Sequence, residues 1–204
     1  MSCTKTKDKS MKLPDYVVIN NEDLTHDVRK VLRTEAQTLH FPLSEEDKES
    51  VRLVEAKFDQ EEKIAGLAAP QIGIAKKIIV FVAPDDEEFK KWRTDLTQTM
   101  PKTIWINASY VGISEDKRTY YEGCFSVHNI AGEVPRFTKI KYSAYTPDGE
   151  LVEGEAEGYL ARVIQHEVDH TNGKLFIDYV EPGKCVTMEE YFALRKAAMP
   201  NEGN

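Results

Sequence analysis

The sequence predicts an α+β fold: mixed or antiparallel β-sheets packed around one central helix, with further helices toward the N- and C-terminal ends. Three observations predict it. The run from Tyr159 to His170 is apolar around most of a helix, with Leu160, Val163, Ile164 and Val168 flanking its polar positions, so this helix is expected to be buried. Short apolar runs bounded by turn residues lie before and after it. Lys139–Tyr145, Pro147-Asp148-Gly149 and Leu151–Glu157 read as strand, turn and strand, a hairpin.

In chain order, residues 1–12 are polar and lysine-bearing and are expected to be a flexible tail, with residues 13–204 forming one domain. Leu24, Val28, Val31, Leu32, Ala36 and Leu39 recur at helical spacing and predict a first helix. Ser44-Glu45-Glu46-Asp47 has a capping-box pattern and opens a second, whose few apolar positions, Val51, Val54 and Phe58, suit a surface location. Small residues crowd Gly66-Leu67-Ala68-Ala69-Pro70-Gln71-Ile72-Gly73, which lets the backbone approach something closely. Lys77–Val82 follows as a buried strand, residues 84–101 as a polar insertion forming a loop or short helix, and Thr103–Asn107 as strand again. Gly173 is placed to end the central helix, Leu175-Phe176-Ile177 reads as a last strand, and Thr187-Met188-Glu189-Glu190 opens a C-terminal helix.

Bulk properties narrow the function classes. Hydrophobic residues make up 41% and charged residues 30% of the 204, ordinary for a globular chain. The formal charge of -8 argues against a nucleic-acid backbone as the main partner. Cys3, Cys124 and Cys185 have no framework spacing, which suits a reducing compartment. No stretch approaches the roughly 18 apolar residues of a membrane span, and residues 1–12 carry no apolar signal core, so a cytoplasmic location is expected.

The chemistry concentrates in Gln165-His166-Glu167-Val168-Asp169-His170. His166 and His170, four apart on a helix, share a face and can close on one metal ion, while Glu167 sits at the edge of that face within reach of a water held there. A third ligand is required, and Cys124 in Glu122-Gly123-Cys124-Phe125-Ser126 is the best candidate, outside a clean strand pattern and beside a carboxylate. Cys, His, His and a water make a tetrahedral site with an open position, which is a catalytic arrangement.

Gly66–Gln71, Glu122–Ser126 and Gln165–His170, in that order, resemble the three motifs of the peptide deformylase family. The sequence departs from the family pattern at Ile64, where a glycine is usual, at His128, where a proline is frequent, and at Thr171, where leucine is usual. The resemblance implies a metal-dependent hydrolase that removes the formyl group from the initiator methionine of new polypeptides. It implies Cys124, His166 and His170 as ligands of one divalent metal, Fe2+ foremost, with Zn2+, Ni2+ or Co2+ able to take the same place. Glu167 would be the acid–base residue, and the Gln71 amide and Phe125 backbone N–H the oxyanion donors. Val163 is expected to line an apolar methionine pocket, and the peptide to add to a sheet edge near Gly66. Ile64 is expected to narrow the cleft beside Gly66 if it faces the substrate groove, the alternative being that it turns into the core. Arg136 is expected to pair with Glu122 and hold the cysteine loop rather than contact substrate. Partners would be formyl-Met nascent chains and, transiently, the ribosome. The alternatives are a zinc endopeptidase, which needs a downstream third ligand although no histidine follows His170, and a non-catalytic peptide-binding homologue.

Overall fold

Apolar residues on nearly every side of the His-bearing helix decide where it sits. In this helix, α3 (Gly158–Thr171), every residue except Gly158 and His166 is buried. The structure, a computed structural model, describes residues 12–19, 30–62 and 64–197. The tail expected over residues 1–12 therefore lies outside the described residues, apart from an exposed Lys12.

The fold is α+β, with two sheets whose named strands all pair antiparallel. Five strands form the larger sheet: β1 (Gly66–Ala68), β2 (Ile78–Ala83), β3 (Met100–Gly112), β6 (Lys139–Tyr145) and β7 (Leu151–Glu157), in the order β1-β2-β3-β6-β7. The smaller sheet runs β4 (Lys117–Glu122), β5 (Ile130–Phe137), β8 (Cys185–Thr187). Helix α1 (Glu45–Gln60) precedes them, α2 (Glu87–Trp92) lies in the polar insertion, and α4 (Met188–Ala197) closes the described chain. No helix of the described residues is long and apolar enough to cross a membrane.

Strand β2 shows why its sequence is an unbroken apolar run. Ile79, Phe81 and Ala83 join the cluster around α3, while Ile78 and Val80 join a second cluster with Val51, Val54 and Phe58 of α1. A strand covered on both faces cannot alternate polar and apolar residues. A third cluster, including Ile19, Leu32, Val134, Leu175 and Phe176, lies under the smaller sheet.

Local signals set the element ends. Ser44 caps α1 through the expected box with Asp47, and Thr187 caps α4 reciprocally with Glu190. Gly173, at φ +71°, ends α3; its N–H donates to His170 C=O and the Lys174 N–H to Asp169 C=O, a Schellman closure. The hairpin of β6 and β7 turns at Pro147-Asp148, as the sequence indicates.

Two expected elements differ. Leu24 and Val28 of the predicted first helix lie outside the described residues, and the rest forms only a 3-10 turn at Lys30–Leu32 followed by extended chain. The backbone there bonds outward: Ala36 N–H to Thr171 C=O, Gln37 N–H to Ala75 C=O, and Lys77 N–H to Gln37 C=O. Leu32 and Leu39 are both buried, but in different clusters, so their helical spacing reflects two cores reached by one extended segment. The strand expected at Leu175–Ile177 is instead a 3-10 turn, Phe176–Tyr179, because Asp178 folds back to accept the Leu175 N–H while pairing with Arg33.

Asn107 holds the extended segment in place. It sits at φ +54° beside the register shift in β3, and its side chain accepts from Leu39 N–H and donates to Leu39 C=O, both at 2.9 Å. Replacing Asn107 with Ala strands both backbone groups. The expected loss is about 1–3 kcal/mol per unsatisfied buried group, read as a lower denaturation midpoint with an unchanged slope.

Candidate active site

Helix periodicity and one strand end bring the chemical groups together. His166 and His170 share a face of α3, with their Nε2 atoms 3.2 Å apart. The Cys124 Sγ lies just past the end of β4, and all three candidate ligand atoms fall within 4.8 Å of one another. The set of three that sequence singled out is thus gathered at one point. Cys185 is exposed on β8, away from this set, and Cys3 lies outside the described residues.

Glu122, two residues before Cys124, is the organising carboxylate. It is buried, and accepts from Arg136 Nε and Nη2 (3.1 and 2.9 Å), from Arg162 Nη1 (2.6 Å) and from His166 Nδ1 (2.8 Å). Burial alone would raise its carboxyl, but the His166 hydrogen bond and the Arg136 charge outweigh it and hold Glu122 well below the usual carboxylate range. Arg136 also pairs with Asp169, to which Tyr110 donates at 3.1 Å. The pairing of Arg136 with Glu122 expected from sequence is therefore present, inside a network of two guanidiniums and two carboxylates. Arg162 and Asp169 were not singled out in the sequence. The signal for them was there: they lie four before and three after His166, on the neighbouring helix face.

This network fits a metal. Glu122 occupies His166 Nδ1, which leaves Nε2 to face His170 and Cys124. Burial, then the neighbouring His166, push the His170 ring well below the usual imidazole range, keeping it neutral with a lone pair to offer. A thiol and two imidazoles form the donor set of a four-coordinate site with one open position.

Glu167 lies beside this point. It is 3% exposed, its Oε2 has no hydrogen-bond partner among the described residues, and burial pushes its carboxyl up to about 7, with His166 acting the other way. A buried carboxylate oxygen without a partner is suited to a water or substrate that comes and goes. Gly66 makes room for it: a Cβ there would stand 2.3 Å from Glu167 Oε1.

Except for His170, every singled-out site residue lines one cavity of about 1300 Å3. Gln71 accepts the Ala68 N–H through Oε1 at 2.8 Å, which turns its amide N–H groups the other way. Phe125 exposes 46% of its surface, and its backbone N–H forms no hydrogen bond among the described residues. Val163 serves both the α3 core and the cavity wall. Ile64 likewise packs partly on the α1 cluster and lines the cavity, so it faces both the core and the cleft.

An α+β frame that gathers Cys, His and His as candidate ligands of one metal, with a buried glutamate next to them, has the make-up of a mononuclear metallohydrolase. The sequence model of the Polypeptide deformylase family matches residues 22–185, and Peptide deformylase 2 of Rickettsia conorii is 55% identical over 195 residues, 96% of each chain. The chain belongs to the polypeptide deformylase family, whose members depend on a metal. Solved structures agree. Peptide deformylase from Thermotoga maritima has a TM-score of 0.64 at 30% identity, covering 84% of this chain and 99% of that one. A Met-ala-ser bound class I type b peptide deformylase from Acinetobacter baumannii has a TM-score of 0.68 at 26% identity, covering 83% and 99%.

The close approach at Gly66 yields a direct test. Gly66→Ala is expected to displace the Glu167 side chain and lower turnover about 10²-fold, as a misplacement near 1 Å does, while the metal content stays that of the parent. Undiminished turnover would show that the Glu167 carboxylate does not work from this position.

Proposed function

We propose that this chain hydrolyses the N-formyl group from the initiator methionine of newly made polypeptides, releasing formate and a free amino terminus. The observation carrying this reading is the convergence of Cys124, His166 and His170 beside the buried Glu167, whose Oε2 has no hydrogen-bond partner among the described residues, in a cavity with room for a peptide. The Met-ala-ser bound Acinetobacter relative supports that class of ligand.

Cys124 Sγ and the Nε2 atoms of His166 and His170 would hold one divalent metal, which supplies Lewis acidity toward the formyl oxygen and makes water acidic enough to attack near neutral pH. Fe2+ is the metal proposed here; Zn2+, Ni2+ and Co2+ suit the same mixed thiolate and imidazole donors. Glu167 takes the proton of the attacking water and returns it to the departing amine as the C–N bond breaks, acting as general base and then general acid. Gln71, through its side-chain amide, and Phe125, through its backbone N–H, donate to the oxyanion of the tetrahedral intermediate. Val163 lines the pocket for the methionine side chain. The peptide main chain adds to β1, the edge strand that begins at Gly66. The reaction takes place in the cytoplasm, with transient ribosome association bringing nascent chains to the cleft.

Glu167→Gln is expected to keep its metal while formate release from formyl-Met-Ala-Ser, assayed anaerobically, falls by about 10²–10⁴. Near-parental turnover would remove the acid–base role. Cys124→Ala should lose most of its metal at neutral pH, whereas Cys3→Ala and Cys185→Ala should retain theirs. Metal lost from Cys185→Ala instead would mean that the wrong thiol has been assigned.

A further inference from the structure

The two proposed oxyanion donors come from different sheets. Gln71 lies in the 3-10 turn (Ala69–Ile72) that follows β1 of the larger sheet, and Phe125 lies in the turn between β4 and β5 of the smaller one. Two donors stabilise one oxyanion only when both stand roughly 2.7–3.1 Å from the same point. Their spacing across the two sheets therefore has to be fixed by something that touches both turns.

Residues 16–19 touch both. Val17 N–H donates to Gln71 C=O at 2.8 Å, Ile19 N–H to Ser126 C=O at 2.8 Å, and His128 N–H to Ile19 C=O at 3.1 Å. Ile19 forms a parallel bridge with Val127 and is 1% exposed, anchored in the third apolar cluster. Tyr16 packs on the α1 cluster at the other end of the segment. Its ring stacks on Phe125 with centroids 4.8 Å apart and planes 15° from parallel, and Lys57 Nζ of α1 lies 4.5 Å from its centroid. Phe125, half exposed, is thus gripped by Tyr16. The buried Tyr16 hydroxyl makes no close hydrogen bond among the described residues and lies near the carboxylates of Glu61 and Glu167.

We infer that residues 16–19 are a strap that sets the distance between the Gln71 and Phe125 donors, with Tyr16 as a positioning residue for the Phe125 turn. The inference rests on the oxyanion role proposed above. Loosening the strap lets the two turns drift apart, which weakens contacts made in the transition state. Val163, proposed to line the methionine pocket, stands on α3 and is not held by the strap, whereas Cys124 directly precedes Phe125 and packs on the same cluster as Ile19, so metal content is the readout that separates a shift of the oxyanion donor from a loss of the thiol. The loss should therefore fall on kcat and spare KM.

The test compares the full-length metal-loaded protein with its Tyr16→Ala, Tyr16→Phe and Val54→Ala variants, measuring metal content, melting temperature and steady-state formate release from formyl-Met-Ala-Ser. Tyr16→Ala should lower kcat about 10- to 100-fold with KM within about twofold of the parent and metal content unchanged. Tyr16→Phe, which keeps the ring, should restore parental kcat. Val54→Ala, a buried change in the α1 cluster that leaves the Tyr16 ring and the hydrogen bonds of the strap in place, should lower the melting temperature without lowering kcat. Any of these results overturns the inference: a Tyr16→Ala kcat within about twofold of the parent, an effect confined to KM, loss of metal from Tyr16→Ala, or Tyr16→Phe as impaired as Tyr16→Ala. A matching loss of kcat in Val54→Ala also overturns it, by making the effect one of general stability. Absence of formate release from the parent protein would instead overturn the deformylase reading on which the inference stands.

Discussion

A carboxylate buried at the end of β4 governs this structure. Placing Glu122 out of water costs several kcal/mol unless its oxygens are fully engaged, and here two guanidiniums and one imidazole engage them. The consequences run in three directions. Arg136 ties the carboxylate to β5, Arg162 and His166 tie it to α3, and Cys124 follows it by two residues in the chain. The candidate thiol and imidazole ligands are thus located relative to each other by one side chain that is not itself among them. The same contact occupies His166 Nδ1, so the ring presents its other nitrogen to the site.

The charges in this network compensate one another. Arg136 and Arg162 carry two positive charges, and Glu122 and Asp169 two negative ones, all buried and mutually paired. Removing any one leaves an uncompensated buried charge, which is far more costly than the pair is stabilising. That asymmetry makes the network rigid, and rigidity suits a centre whose ligands come from separate elements. Glu167, one residue from His166, is outside the network, and its Oε2 has no hydrogen-bond partner among the described residues, which suits the proton-exchanging role proposed for it.

The two sheets divide the work. The larger sheet sandwiches β2 between α1 and α3 and supplies Gly66 and Gln71 from its edge. The smaller one supplies Glu122, the cysteine loop and Phe125. Helix α3 spans both, since its apolar side packs on the larger sheet while Arg162, His166 and Asp169 reach the residues of β4 and β5. The cavity opens where these parts meet.

Sequence alone determined what is local or periodic. The four-residue spacing of His166 and His170, the apolar girdle of α3, the caps at Ser44, Thr187 and Gly173, and the β6–β7 hairpin depend on neighbours within a turn or two, and the structure has all of them. Even Arg162 and Asp169 were available by the same helical periodicity. What the tertiary structure decided is what depends on residues far apart in the chain. Leu32, Ala36 and Leu39 have helical spacing, yet after the 3-10 turn that ends at Leu32 the backbone of Ala36, Gln37 and Leu39 is drawn out to pair with Thr171, Ala75 and Asn107, because long-range hydrogen bonds and two separate cores outweigh a weak local propensity. Gly66 read as a place of close approach, but only the fold shows that the Glu167 carboxylate fills the space of its missing Cβ. The convergence of Cys124 on His166 and His170, across more than forty residues of chain, has no local cause: it exists because burying Glu122 brings β4, β5 and α3 to the same point.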